Sequence, residues 1–133
     1  MNKFSKKSQE RLDTCHPDLQ KIFNKVIEHY DCTIVCGHRG KDEQDEAVRT
    51  GNSKLAWPNS KHNSLPSKAV DVVPYPVDWT DTSRLYHFAG YVYAIADYYG
   101  INIRWGGDFK SNFKFMDEKI KDLPHWELVE EKS

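Results

Sequence analysis

The chain has 133 residues, with 19 Lys and Arg against 20 Asp and Glu, a net charge of −1 at pH 7. That balance excludes the basic footprint of a nucleic-acid binder, and 38% hydrophobic with 29% charged residues excludes a disordered chain. There is no run of about 18 apolar residues, so no membrane span is expected. The first residues lack the apolar stretch of a secretory signal.

The length suits one domain over residues 1–133, large enough to build a core without covalent staples. The expectation is a monomer made and folded in the cytoplasm; if it works outside, something else must let it out.

In chain order, Lys3, Lys6, Lys7 and Arg11 form a small basic cluster read as a solvated face. Pro17 to Tyr30 predicts a helix: Leu19, Ile22, Phe23, Val26, Ile27 and Tyr30 follow the i, i+3, i+4 pattern, and proline suits a first turn. Cys32 to Gly37 reads as a short buried strand and Gly37-His38-Arg39-Gly40 as a turn. Lys41 to Thr50 reads as a polar helix with Gly51 as its C-terminal cap. Asn52 to Lys68 is a long loop rich in Asn, Ser and Pro, and loops of that length are usually functional or disordered.

Ala69 to Val73 is a strand closed by Pro74 and Pro76. Asp81 to Tyr99 is a second strong helix, with Leu85, Phe88, Val92, Ile95 and Tyr99 on one stripe and Gly100 at its end. Ile101 to Trp105 is a strand broken by Gly106-Gly107, a polar loop runs through Lys121, and His125 to Val129 is the last strand. Separated strands around two amphipathic helices predict an α+β domain with a small sheet.

The three cysteines are Cys15, Cys32 and Cys36. An odd count without a signal argues against a disulfide framework. Cys32 and Cys36 flank Ile34 on one face of the predicted strand, which makes them core thiols. A zinc site of Cys32, Cys36 and His38 is the alternative, but a second CxxC or HxxxH pair is missing.

The segment Ser60 to Pro76, SKHNSLPSKAVDVVPYP, carries the chemistry. Asp71 sits inside the apolar run Ala69-Val70-Asp71-Val72-Val73, and an unpaired buried charge costs several kcal/mol. It needs a partner, and a metal ion shared with His62 would be one. His125 opens the final strand, with Asp122 three positions before it, and Arg39 stands at the turn after the first strand. Two imidazoles and a carboxylate form a common catalytic zinc set that leaves a position for water. A nearby carboxylate must take that water's proton and pass it to the leaving amine, and Asp122 is placed for it. Arg39 offers a planar fork of donors to an oxyanion or a substrate carboxylate. Each residue also has an ordinary reading: a solvated loop histidine for His62, turn caps for Asp71 and Asp122, and an edge-strand surface residue for His125.

Taken together, these residues resemble the S-x-H…A-x-D signature of the peptidoglycan peptidases of the D-alanyl-D-alanine carboxypeptidase type, peptidase family M15. They look closest to the small phage endolysins that act as L-alanyl-D-glutamate peptidases. Ser60-Lys61-His62 and Ala69-Val70-Asp71 match the two halves, Asp122-Leu123-Pro124-His125 matches the acidic-x-x-His motif, and Arg39 with Gln44 matches an R-x-x-x-x-Q element. The common form of the signature has a shorter spacing with a glycine, where this chain has Ser67 and nine positions from His62 to Asp71.

The resemblance implies the small α+β fold shared with the hedgehog signalling domain, with an antiparallel sheet and flanking helices. It implies His62, Asp71 and His125 as ligands of Zn2+ and Asp122 as general base and then acid. It places Arg39 on the substrate, with Gln44 supporting it on that side. The implied partner is bacterial peptidoglycan and the implied role host lysis. A D,D-carboxypeptidase or dipeptidase with the same zinc chemistry, and a non-catalytic binder of zinc or wall peptides, are the rivals. Asp108, in Trp105-Gly106-Gly107-Asp108, also resembles the family pattern and is given no chemical role.

Overall fold

The computed structural model describes residues 1–112 and 122–129. In chain order the elements are α1 (Lys6–Asp13), α2 (Pro17–His29), β1 (Cys32–Cys36), α3 (Lys41–Arg49), β2 (Ala69–Pro74), α4 (Thr82–Tyr99), β3 (Ile103–Trp105) and β4 (His125–Leu128). The four strands form one sheet in the order β1-β2-β4-β3, and each neighbouring pair is antiparallel. The fold is α+β, as the order of elements predicts. The polar loop expected before β4 lies in part outside the described residues.

The register gives the sheet two different faces. Ile34 pairs with Val72, Val70 with Trp126, and Trp126 with Trp105. These side chains fill one face, where Trp105 and Trp126 stack at 5.9 Å and α2 and α4 close over them. Burial of each such large apolar side chain stabilises by ~1.5–3 kcal/mol. On the other face the cross-strand rows are Cys36–Asp71–His125 and Ala69–Glu127–Arg104. Side chains alternate along a strand, so one register packs the core and lines up the polar row.

The helices depart from expectation in two places. Helix α1 has too few apolar residues to stand out as a stripe, yet it forms: Ser5 caps it, Leu12 is buried, and Arg11 donates to the Ile34 carbonyl. Arg11 therefore belongs to the packing of β1, while Lys3, Lys6 and Lys7 are exposed. In α4 the buried line is Leu85, Phe88, Ala89, Val92 and Ala96, which leaves Ile95 and Tyr99 half-buried. Two small alanines let α4 approach the core more closely than the larger residues would.

Cys36 also departs. The β1–β2 register shifts between Ile34 and Cys36, so Cys36 stands opposite Asp71. One inserted residue turns everything beyond it to the other face. Cys32 stays in the core, His38 gives its backbone N–H to Thr14, and Cys36 faces the polar side. The core-thiol expectation therefore holds for Cys32 and fails for Cys36, and the alternative Cys32–Cys36–His38 set is not formed.

Candidate metal centre

His62, Asp71, Asp122 and His125, the residues that the resemblance singles out, meet at the polar face of the sheet. His62 is carried by a single 3-10 turn, Lys61–Asn63, in the long loop. Ser60 caps that turn by accepting from the His62 backbone N–H at 3.2 Å. Lys61 reaches the carboxylate of Glu127 at 3.1 Å and the carbonyl of Leu128, which ties the loop to β4. Asp71 and His125 are directly opposed on β2 and β4.

The hydrogen bonds fix which ring nitrogen of each histidine is free. His62 Nδ1 lies 2.8 Å from the carbonyl oxygen of Gly37. A carbonyl only accepts, so Nδ1 carries the hydrogen and the Nε2 lone pair faces inward. His125 Nε2 lies 2.8 Å from Glu127 Oε1, so its Nδ1 faces inward. Both inward nitrogens then lie 3.3 Å from the same oxygen, Asp71 Oδ1.

Two lone pairs and a carboxylate aimed at one point repel unless positive charge lies among them. Without a metal that charge is protons. Burial works against charging His62, but its contacts with Asp71 and Cys36 push its pKa up to about 10. Burial likewise opposes charging His125, and Asp71 with Glu127 pushes it up to about 9. Burial would raise the Asp71 carboxyl, yet the two imidazoles hold it well below the ordinary carboxylate range. One divalent cation answers the same demand through three N and O donors, so the donor set fits a zinc ion. Among the described residues two trios have ligand atoms within 4.8 Å of one another: Cys36–His62–Asp71 and Asp71–Asp122–His125.

Asp122 flanks this point, its Oδ2 lying 3.9 Å from His125 Nδ1 with the side chain 45% exposed. Its backbone N–H donates to the Gly106 carbonyl at 2.8 Å, and its own carbonyl accepts from the His125 N–H at 3.0 Å. A Cβ on Gly106 would lie 1.9 Å from the Asp122 carbonyl oxygen. This close approach accounts for a glycine where the sequence shows only a strand break. Burial of the carboxyl and then the charge of Asp71 raise the Asp122 pKa.

Arg39 stands on the other side, its Nη2 3.9 Å from Asp71 Oδ2. Its Nη1 donates to Gln44 Oε1 at 3.0 Å, and the same oxygen accepts from Asn63 Nδ2 at 3.1 Å. Gln44 Nε2 donates to Ser53 and to the Leu55 carbonyl. Gln44 is fully buried with its bonds directed inward, so it holds Arg39 and the His62 turn in place. Asp108 is fully buried in the turn after β3, where its Oδ1 accepts from the Asn112 N–H at 3.3 Å.

Sequence reasoning passed over Glu127. It is 6% exposed, and besides His125 it takes Arg104 at 2.7 Å and Lys61 at 3.1 Å on Oε2. A carboxylate behind a metal-facing histidine fixes the ring's tautomer and orientation. The available signal was its alternation with His125 on β4, which puts both on one face.

The comparisons agree over nearly the whole chain. The family model described as phage L-alanyl-D-glutamate peptidase matches residues 1–129. The L-alanyl-D-glutamate peptidase of Escherichia phage T5 is 32% identical over 135 aligned positions, covering 96% of this chain and 98% of that one. The crystal structure of the Serratia marcescens L-Ala D-Glu endopeptidase ChiX superposes with a TM-score of 0.74 at 30% identity, covering 96% of this chain and 91% of that one. With the family model spanning so much of the sequence and relatives this similar on both sides, the chain belongs to the phage L-alanyl-D-glutamate peptidase family.

Proposed function

We propose that this chain is a zinc-dependent peptidase that hydrolyses the L-alanyl-D-glutamate bond of peptidoglycan stem peptides, and that it serves as an endolysin. The observation that carries the reading is the convergence of His62 Nε2 and His125 Nδ1 on one oxygen of Asp71, with Asp122 beside them. In this reading His62, Asp71 and His125 hold the metal. Zinc bound there supplies a Lewis acid and a water whose pKa falls from 15.7 to roughly 7.

The remaining work belongs to the chain. Asp122 takes the proton from the attacking water and delivers it to the leaving amine of D-glutamate. Its raised pKa suits a group that must hold that proton between the two steps. Arg39, held by Gln44, presents guanidinium N–H groups to a substrate carboxylate or to the oxyanion that develops at the alanine carbonyl. Glu127 keeps His125 in the required tautomer.

No helix among the described residues is long and apolar enough to cross a membrane. We place the protein in the host cytoplasm as a monomer until a separate agent opens a way to the wall. The test is digestion of purified peptidoglycan, with and without a zinc chelator, read by mass spectrometry of the new termini. Alanine C-termini and D-glutamyl N-termini, lost on chelation and restored by zinc, are expected. Free D-alanine would give the site a carboxypeptidase substrate instead, and binding without cleavage would refute the enzymatic reading.

A further inference from the structure

Cys36 stands in the same cross-strand row as Asp71 and His125, on the side of Asp71 away from His125. The other two cysteines are fixed in the core: burial pushes the Cys15 and Cys32 thiols up to about 12. Cys36 is only half-buried. Its Sγ lies 3.7 Å from Arg39 Nη2 and 3.9 Å from His62 Nδ1, the ring nitrogen on the far side from the metal-facing Nε2. A sulfur of Cys36, a ring nitrogen of His62 and a carboxylate oxygen of Asp71 all lie within 4.8 Å of one another.

The β1 bulge puts it there. In an unbroken strand Cys36 would follow Cys32 and Ile34 into the core, whereas the shifted register sets its side chain against the carboxylate.

The geometry points to Cys36 as a fourth protein ligand of the metal centre in the substrate-free protein, giving a Cys-His-Asp-His set. The inference rests on the reading that His62, Asp71 and His125 hold the metal. Metal–sulfur and metal–nitrogen bonds of about 2.3 and 2.0 Å set tetrahedral ligand atoms roughly 3.5 Å apart. The present separations are at most 4.8 Å, so the sulfur must close in by about 1.3 Å at most, within reach of a side-chain rotation. On coordination the thiol gives up its proton to solvent, and the guanidinium of Arg39 lies against the thiolate that forms. A thiolate there takes the position that a three-ligand catalytic site leaves to water. Peptide binding then has to displace the sulfur, so the resting centre is closed and opens on its substrate.

The experiment is substitution of the full chain with Co2+ and comparison of wild type with Cys36→Ser by absorption. Visible ligand-field bands report cobalt at the histidines and the aspartate. A near-ultraviolet thiolate-to-cobalt charge-transfer band reports the sulfur. The expected result is both signals in wild type, with loss of the near-ultraviolet band alone in Cys36→Ser. Visible bands without a charge-transfer band in wild type would overturn the inference and leave the three-ligand reading standing. Absence of visible bands in both proteins would overturn that reading and the inference together. Alkylation of Cys36 by iodoacetamide, read by peptide mass, gives a second measure: zinc-loaded protein should react at least tenfold more slowly than chelated protein. Equal rates would count against coordination.

Discussion

Replacing Glu127 by Gln removes one charge from a buried network and leaves its shape. The carboxylate takes His125 on one oxygen at 2.8 Å and Arg104 and Lys61 on the other at 2.7 and 3.1 Å. An amide has a single acceptor oxygen, so it satisfies His125 or the two cations, not both. Burial alone would raise the carboxyl, but His125, Arg104 and Lys61 bring its pKa from 4.5 down to about 2.

At 1.36 kcal/mol per pKa unit, that lowering corresponds to about 3 kcal/mol of stability held by the ionised form. The folded pKa is depressed, so the contribution is complete above about pH 4.5 and is lost as pH falls toward 2. Urea unfolding of the chelated protein is the assay. Glu127→Gln should be less stable than wild type by about 3 kcal/mol at pH 7, with the gap closing between pH 4.5 and 2. Zinc affinity, measured by competition with a chelator, should fall by roughly 10- to 100-fold. A variant as stable as wild type at pH 7, or a gap that persists unchanged to pH 2, would refute the charge-network reasoning.

Asp122→Asn should keep stoichiometric zinc and lose on the order of 10²-fold or more in kcat; a metal-free variant would make Asp122 a ligand. Metal uptake by Cys36→Ser near pH 7.5 should release about two protons, one from each raised imidazole. Calorimetric titration in buffers of different ionisation enthalpy measures this, and a value near zero would contradict the paired, protonated metal-free site. Gly106→Ala drives a methyl into the Asp122 carbonyl, so kcat should fall more than zinc affinity; an unchanged kcat would show that Asp122 tolerates displacement. Arg39→Lys replaces the planar fork held by Gln44 with a single ammonium. Its kcat/KM should fall at least tenfold, and near-normal kinetics would remove the bidentate role.

The sequence by itself determined the elements whose signals are local. The 3.6-residue apolar period of Pro17 to Tyr30, the glycine after Tyr99 and the apolar run around Asp71 each depend on neighbours along the chain, and each gave the element observed. Asp71 was legible for the same reason, as a charge with no local partner in an apolar strand. His62 and Asp122 were legible only jointly with it, through motif order, because neither a loop histidine nor an aspartate before Leu-Pro is distinctive alone.

What remained hidden depends on register. The β1 bulge is a property of how two strands pair, and it alone moved Cys36 from the core face to Asp71. Glu127 reads as an ordinary strand carboxylate until β4 is set between β2 and β3, where it meets His125, Lys61 and Arg104. Helix α1 is amphipathic over too few residues to be seen in sequence, and it forms because β1 offers Ile34 to its Ser8 and Arg11. Sequence fixes which chemistry a side chain offers. Long-range pairing across the sheet decides which of those side chains face one another, and a shift of one residue is enough to change the set.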